Sequence, residues 1–183
     1  MENKYSRLLL HACCGPCVTT ALERLVENHE VSVFFFNPNI YPNEEYVKRK
    51  KETQRYVQNT YGLKVPFIEG DSNPNLFFKS VHGYENEPEG GERCSLCFRL
   101  RLEETARYAK KNGFSGFCTT LTLSPHKNAK LINQLGEEIA SSIRNVTYFP
   151  SDFKKKDGFR RSVELAKEQD LYRQTYCGCI FSL

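Results

Sequence analysis

The sequence predicts an α/β fold, a Rossmann-like parallel sheet covered by helices on both faces. Short apolar segments alternate with longer segments of helical periodicity, which is the pattern of a parallel sheet with crossover helices. The chain has 183 residues and shows no internal repeat and no convincing linker. We therefore expect one domain over residues 1–183, with a cysteine-bearing C-terminal tail from about residue 171.

Five short apolar segments predict the strands. The first contains Leu8-Leu9-Leu10, and the second is stopped by Asn37-Pro38-Asn39. The predicted strands cover residues 7–11, 31–36, 65–68, 114–121 and 146–149. In such sheets the functional site lies beyond the carboxyl ends of the strands, so we expect it at that rim.

The segments between the strands carry helix boundary signals. Pro16 and Ser124-Pro125 are favourable helix starts, and Gly62 and Gly113 are favourable helix stops. We predict helices over residues 16–26, 44–61, 75–81, 94–112, 125–143 and 162–169, with a loop over residues 83–91.

Composition and charge exclude several classes of protein. The longest apolar run is only a few residues, so we expect no membrane partner, no signal peptide and a cytoplasmic location. The net charge of +4 permits a nucleic-acid partner without demanding one. The basic clusters are either solvated surface or phosphate contacts: Lys48-Arg49-Lys50-Lys51, Lys154-Lys155-Lys156 and Arg160-Arg161.

The eight cysteines are the most informative residues. Without a secretory signal, clustered cysteines indicate metal or redox chemistry. They form three groups and a singleton that we expect in the core: Cys13, Cys14 and Cys17; Cys94 and Cys97; Cys177 and Cys179; and Cys118.

Each cysteine group has its own chemistry. A predicted helix begins at Pro16, and a helix N-terminus favours thiolates, which bind metals or attack sulfur. Cys94 and Cys97 lie on one face of a helical turn, so two such pairs could hold zinc or an iron–sulfur cluster; the spacing alone does not separate these. Cys14-Gly-Pro-Cys17 also matches a thioredoxin dithiol. Cys177-Gly-Cys179 suits either a labile disulfide or a metal.

Other residues at the predicted rim have two interpretations each. His11 is either a packed core histidine or a proton donor. Asp71 and Asp152 could transfer protons or bind a metal, or they could cap loops. His126 and Lys127 lie at a predicted helix start, where a phosphate could bind.

Several segments together resemble the QueH-type epoxyqueuosine reductases, a cobalamin-independent family. The matching blocks appear in the expected order over nearly the whole chain. They are His11-Ala-Cys-Cys-Gly-Pro-Cys17, Glu87-Pro-Glu-Gly-Gly-Glu-Arg-Cys-Ser-Leu-Cys-Phe-Arg-Leu-Arg101, Thr119-Thr-Leu-Thr-Leu-Ser-Pro-His-Lys-Asn128, Ser151-Asp-Phe-Lys-Lys-Lys156 and Tyr172-Arg-Gln-Thr-Tyr-Cys-Gly-Cys179.

The resemblance implies reduction of epoxyqueuosine to queuosine at the wobble position of tRNA. It implies a fold similar to the nucleotide-binding domain of ATP-pyrophosphatase relatives, with a cysteine-rich loop at the position of their phosphate loop. It also implies a redox-active Cys177/Cys179 disulfide. The implied cofactor is a [4Fe-4S] cluster held by Cys13, Cys14, Cys94 and Cys97.

Further site assignments follow from that reaction. Cys17, with Asp71, is a candidate ligand of a second metal, a mononuclear iron or zinc. Asp71, Asp152 and His11 are the candidate proton donors. The partners are the tRNA anticodon loop and an unidentified electron donor, with no DNA. We expect the phosphate contacts to come from Lys48, Arg49, Lys154, Lys155, Lys156, Arg160 and Arg161.

Two other functions compete with this one. A thioredoxin-like disulfide reductase would use Cys14 and Cys17 and would ignore tRNA. A zinc-stabilised, non-catalytic RNA-binding module would hold zinc and bind tRNA without turnover. The identity of the metal and the redox behaviour separate the three.

Overall fold

The computed structural model describes residues 6–183 and contains a five-stranded sheet. The strands are β1 (Ser6–His11), β2 (His29–Phe35), β3 (Phe67–Glu69), β4 (Gly116–Thr119) and β5 (Thr147–Tyr148). Their spatial order is β3-β2-β1-β4-β5, and every neighbouring pair is parallel. The predicted parallel α/β sheet is therefore confirmed, with β1 at its centre.

Residues 6–183 contain six α-helices, five between successive strands and one after the last strand. They are α1 (Gly15–Leu25), α2 (Asn43–Tyr61), α3 (Pro74–Ser80), α4 (Glu92–Lys111), α5 (Ala129–Ser142) and α6 (Gly158–Glu168). Short 3-10 turns cover Gly62–Lys64, Thr120–Leu123 and Ile180–Ser182. Within residues 6–183, none of the helices combines the length and the apolar character needed to cross a bilayer.

The predicted start of the fifth helix at Ser124-Pro125 is wrong. The chain turns at these residues, and α5 begins only at Ala129. Asn128 sets this boundary because its side chain accepts a hydrogen bond from the Leu131 N–H (3.2 Å). The last helix also begins four residues earlier than predicted, at Gly158.

Two apolar layers fill the space on either side of the sheet. Successive strand side chains point to opposite faces, so Leu8 and Leu10 pack into one layer and Leu9 into the other. The first layer lies under α1, α2 and α6, and the second lies under α4 and α5. The sheet is thus covered on both faces, as its apolar strands require.

The carboxyl ends of the central strands meet at one rim. His11 at the end of β1 is in register with Thr119 at the end of β4 and with Phe34 near the end of β2. The loops that follow β1 and β4 therefore emerge side by side, and the cysteine-rich loop after β1 lies among them.

Candidate metal centre and active-site cavity

Three cysteine sulfurs converge in the loop after β1. The Sγ atoms of Cys13, Cys14 and Cys17 all lie within 4.8 Å of one another. The Sγ of Cys14 is 2.6 Å from that of Cys17 and 3.9 Å from that of Cys13. Cys14 is the N-cap residue of α1, so these sulfurs lie at the positive end of a helix. Their number and spacing suit a thiolate-bound metal.

The three thiols differ in their tendency to ionise. Hydrogen bonds from Cys14 and Cys17 hold the pKa of Cys13 well below its usual value. Burial raises the pKa of Cys14 to about 12, and hydrogen bonds with Cys13 and Cys14 raise that of Cys17. Cys13 is therefore the most readily ionised thiol of the group.

A second group of cysteines surrounds a small cavity of about 30 Å³. Cys94 and Cys97 reach it from the first turn of α4, and Cys177 and Cys179 reach it from the C-terminal segment. The Sγ of Cys94 accepts a hydrogen bond from the Gly90 N–H at 3.2 Å. Burial raises the pKa of Cys97 to about 11. The structure thus brings two cysteine pairs together that are far apart in the sequence.

A larger cavity of about 640 Å³ adjoins the small one. Cys13 and Cys17 line the larger cavity, whereas Cys177 lines both. The residues shared by the two walls are Glu89, Gly90, Arg101, His126, Lys127 and Cys177. Six of the eight cysteines therefore line one continuous pair of cavities, and a seventh, Cys14, contacts Cys17 at their edge.

The lining of the larger cavity is rich in basic side chains. Arg49, Arg101, Lys127 and Arg173 line it, with Glu89 as the acidic residue. Burial alone would lower the pKa of Lys127, but the nearby thiols of Cys177, Cys13 and Cys17 raise it instead. The Lys127 ammonium therefore keeps its proton, and the cavity favours an anionic occupant.

Arg101 lies at the wall between the two cysteine groups. Its side chain is buried, and its Nη2 donates to the Asn37 Oδ1 at 2.6 Å. Its Nη1 is 4.0 Å from the Cys97 Sγ, and its Nε has no hydrogen-bond partner among residues 6–183. Nothing in the sequence singled this residue out among twenty-six basic ones.

The C-terminal segment is fastened to the site by the start of α2. Arg49 donates from Nη1 to the Cys177 carbonyl (3.0 Å) and from Nη2 to the Tyr176 carbonyl (3.2 Å). The Tyr41 N–H donates to the Gly178 carbonyl at 2.7 Å. Gln174 donates from Nε2 to the Cys14 Sγ at 3.2 Å, while its buried Oε1 has no hydrogen-bond partner in the described residues.

Comparison with known proteins identifies the family. The sequence profile described as "Epoxyqueuosine reductase QueH" matches residues 8–183. The chain belongs to the QueH family of epoxyqueuosine reductases. It is 46% identical over 184 residues to the QueH of Streptococcus pyogenes serotype M1, covering 99% of this chain and 72% of that one. It is 37% identical over 177 residues to the QueH of Thermotoga maritima, covering 96% and 90%.

A solved structure confirms the fold. The U34-tRNA thiolase NcsA from Methanococcus maripaludis, solved with its [4Fe-4S] cluster, superposes with a TM-score of 0.59. The match covers 98% of this chain and 62% of the thiolase, at 13% sequence identity. The two chains therefore share an α/β fold despite little sequence similarity. The predicted family, enzyme class and fold class are confirmed.

The environment of His11 in this QueH chain does not support the predicted proton donor. Its ring is fully buried, with Nδ1 2.9 Å from the Thr119 hydroxyl and Nε2 3.0 Å from the Phe36 carbonyl. Burial, with a smaller contribution from Arg101, lowers its pKa to about 3. The imidazole is therefore neutral, with Nε2–H donating to Phe36, and it joins the ends of three strand segments.

The two aspartates lie away from the cysteine cavities. Asp71 is exposed, and its carboxylate accepts a hydrogen bond from the Asn73 N–H at 2.9 Å, which is a loop-capping arrangement. Asp152 is half-buried, 3.4 Å from the Lys154 Nζ and 3.7 Å from the Lys155 Nζ. Neither lines a cavity that contains cysteines. The structure does not bring Asp71 to Cys17, so their pairing at a second metal stays a sequence-based prediction without geometric support.

Most of the basic side chains predicted to contact phosphate interact with other groups of the protein instead. Arg49 is buried and holds the C-terminal segment, so its assignment to a solvated basic surface is wrong. The Lys48 Nζ lies 3.5 Å from the centre of the Tyr172 ring. Arg160 pairs with Asp157 and Glu164, and Arg161 pairs with Glu23, Glu164 and Glu168.

The three lysines of the cluster before α6 differ in their exposure and in their partners. Lys154 is half-buried, and its Nζ donates to the carbonyls of Thr122 (3.4 Å) and Lys127 (3.3 Å). Lys155 and Lys156 are exposed, and only the first of them pairs with a carboxylate within residues 6–183.

The remaining cysteine, Cys118, is buried in β4, where burial raises its pKa. It packs in the core, as expected.

Proposed function

We propose that this epoxyqueuosine reductase removes the epoxide oxygen of epoxyqueuosine in tRNA with electrons from an iron–sulfur cluster and a cysteine pair. The observation that carries the proposal is the convergence of six cysteines on two adjoining cavities, one of them large and basic, with a seventh, Cys14, in the sulfur group at their edge. Two carbon–oxygen bonds break, an alkene forms, and the oxygen leaves as water with two electrons and two protons.

The donor set fits a four-iron cluster. We assign Cys13 and Cys14 from the loop after β1, and Cys94 and Cys97 from the start of α4, as its ligands. Thiols dominate both groups, and soft thiolates are the ligands that iron–sulfur clusters require. When bound, the cluster would supply electrons one at a time. Cys17 lies within the first sulfur group and remains available to a second iron or zinc.

Cys177 and Cys179 are proposed as the dithiol of the reaction. Oxidation of two thiols to a disulfide releases two electrons and two protons, which matches the requirement of the epoxide. Cys177 lines the large cavity as well as the small one, so it adjoins both the proposed cluster and the substrate space. An external reductant of unidentified nature must then restore the two thiols.

The large cavity is proposed as the site of the modified base. Its volume of about 640 Å³ falls in the usual range for small-molecule sites. Anticodon-loop bases are unpaired, so little energy is needed to place one in a cavity. Arg173, His126 and Lys127 provide donors for phosphate and sugar oxygens.

A protonated group is needed near the departing oxygen. Lys127 lines both cavities, and the neighbouring thiols hold its ammonium in the protonated form. We therefore place the proton donor at the Lys127 Nζ rather than at His11, Asp71 or Asp152. A cytoplasmic location follows from the tRNA substrate.

Analysis of metal and sulfide in protein purified without oxygen tests the proposal. We expect about four irons and four sulfides per chain, and reduction of epoxyqueuosine tRNA by this protein. Cys94→Ser should lose the cluster, whereas Cys118→Ser, which alters a core cysteine, should keep it. Zinc without sulfide would contradict the proposal in favour of the RNA-binding module. Absence of metal together with disulfide reduction would favour the thioredoxin-like function.

A further inference from the structure

Arg101 is a buried charge that has no carboxylate partner among residues 6–183. Its side chain is 2% exposed, and it takes part in none of the ion pairs of the described chain. Burying a charge is costly unless a counter-charge and hydrogen bonds compensate for lost water. The position of Arg101 therefore indicates an anion that the chain binds there.

The hydrogen bonds of Arg101 orient the guanidinium without neutralising it. Nη2 donates to the Asn37 Oδ1 at 2.6 Å, and the Asn37 Nδ2 donates to the Ala12 carbonyl at 2.9 Å. An amide carries no net charge, so this link fixes the direction of the guanidinium only. Within the described part of the chain the Nε hydrogen has no acceptor, and Nη1 lies 4.0 Å from the Cys97 Sγ.

The location of Arg101 identifies the anion. It lines the small cavity with Cys94 and Cys97, and it lines the large cavity with Cys13. Three of the four proposed ligands, Cys13, Cys94 and Cys97, thus share a cavity wall with this guanidinium. A thiolate-bound iron–sulfur cluster at this wall carries net negative charge, which increases when the cluster accepts an electron.

We propose that Arg101 is the counter-cation of the iron–sulfur cluster and makes the cluster easier to reduce. This inference rests on the proposed function, because it requires the cluster. Charge and hydrogen bonds near the sulfurs set the reduction potential of such a centre. A fixed cation stabilises the more negative, reduced form to a greater extent. Arg101 is therefore a positioning residue that acts through the cluster rather than on the substrate.

Redox titration of the anaerobically reconstituted full chain, followed by electron paramagnetic resonance, tests the inference. Arg101→Gln removes the charge and keeps an N–H donor, so its midpoint potential should shift below that of the wild type. Arg101→Lys keeps the charge and should stay close to the wild-type potential. Arg99→Gln is the matched control, because Arg99 is on the same helix but pairs with Glu138 at 2.9 Å.

A second variant tests the inference even if Arg101→Gln does not fold. Asn37→Asp places a carboxylate against the intact guanidinium, so it should lower the potential in the same direction. An unchanged potential in every folded charge-altering variant would overturn the inference. So would equal shifts in Arg101→Gln and Arg101→Lys, because those would reflect packing rather than charge.

Failure of the two proposals can be distinguished. If the wild-type chain takes up no cluster, the proposed function is wrong, and the inference falls with it. If the wild type takes up the cluster and turns over, but Arg101→Gln keeps the wild-type potential and loses tRNA affinity, the guanidinium serves the substrate. That result would overturn the assignment of Arg101 as the counter-cation and leave the proposed function intact.

Discussion

Replacing Arg49 with alanine should release the C-terminal segment from the body of the protein. The guanidinium donates to the carbonyls of Tyr176 and Cys177 and pairs with Glu45 at 2.6 Å. These contacts hold the segment that carries both cysteines of the proposed dithiol. Arg49 itself is 2% exposed, so the bonds form away from bulk water, where they contribute most.

The size of the effect follows from the bonds that are lost. A hydrogen bond from a charged donor contributes about 1.5–3 kcal/mol. Two such bonds hold the segment, so we expect its opening to become easier by about 3 kcal/mol. At about 1.4 kcal/mol per factor of ten, this raises the open fraction roughly 100-fold. The opened state and the unfolded state both lack these bonds, so the free energy of global unfolding should fall by a similar amount.

Alkylation of reduced, metal-free protein by iodoacetamide measures this opening. Mass spectrometry should show Cys179, the buried cysteine of the segment, reacting about 100-fold faster in Arg49→Ala than in the wild type, provided that opening is fast relative to alkylation. Lys51→Ala, an exposed position on the same helix, serves as the control. An unchanged alkylation rate with weakened tRNA binding would refute the reasoning and return Arg49 to the phosphate contacts.

Three further perturbations have defined outcomes. The pKa of His11 is about 3 in the folded protein against 6.5 ordinarily, so unfolding takes up a proton at acid pH. The free energy of unfolding is full above about pH 6.5 and should fall by about 2 kcal/mol between pH 7 and 5. Denaturation of His11→Asn at the two pH values should lack this loss. Gly116→Ala should lower the stability by about 1–3 kcal/mol in a thermal melt, because its Cβ would lie 2.1 Å from a Phe149 ring carbon. Arg173→Ala should weaken tRNA binding and reduce its salt slope by about one in filter binding, whereas Arg161→Ala, already paired with Glu23 at 2.9 Å, should leave both unchanged.

Local signals made the fold and the cysteine loop predictable. The run Leu8-Leu9-Leu10 is too short for a helix and too apolar for an edge strand, and it forms the central strand. Pro16 fixes the start of α1, so Cys13 and Cys14 necessarily fall at a strand end and a helix N-terminus. These features depend on neighbours in the sequence, which the sequence displays directly.

Long-range contacts made the rest of the site unpredictable. Arg49 stands in a basic run and looks like surface, but it is buried against a segment 128 positions away. Arg101 follows a helical pattern shared with exposed arginines, and only packing shows that it faces the sulfurs. Gln174 carries no signal at all, although its side chain bonds to the Cys14 sulfur. Charge can be counted from a sequence, whereas burial and pairing require the fold.

The joining of distant cysteines has a consequence for the unfolded chain. Cys14 and Cys94 are 80 positions apart, so a cluster bound by both closes a long loop, as a disulfide between them would. A covalent cross-link of that span removes enough chain entropy from the unfolded state to contribute about 4 kcal/mol. Loss of the proposed cluster would therefore loosen the whole fold as well as stop electron transfer. Proteolysis in the cell would then remove chains without the proposed cluster faster than chains that hold it.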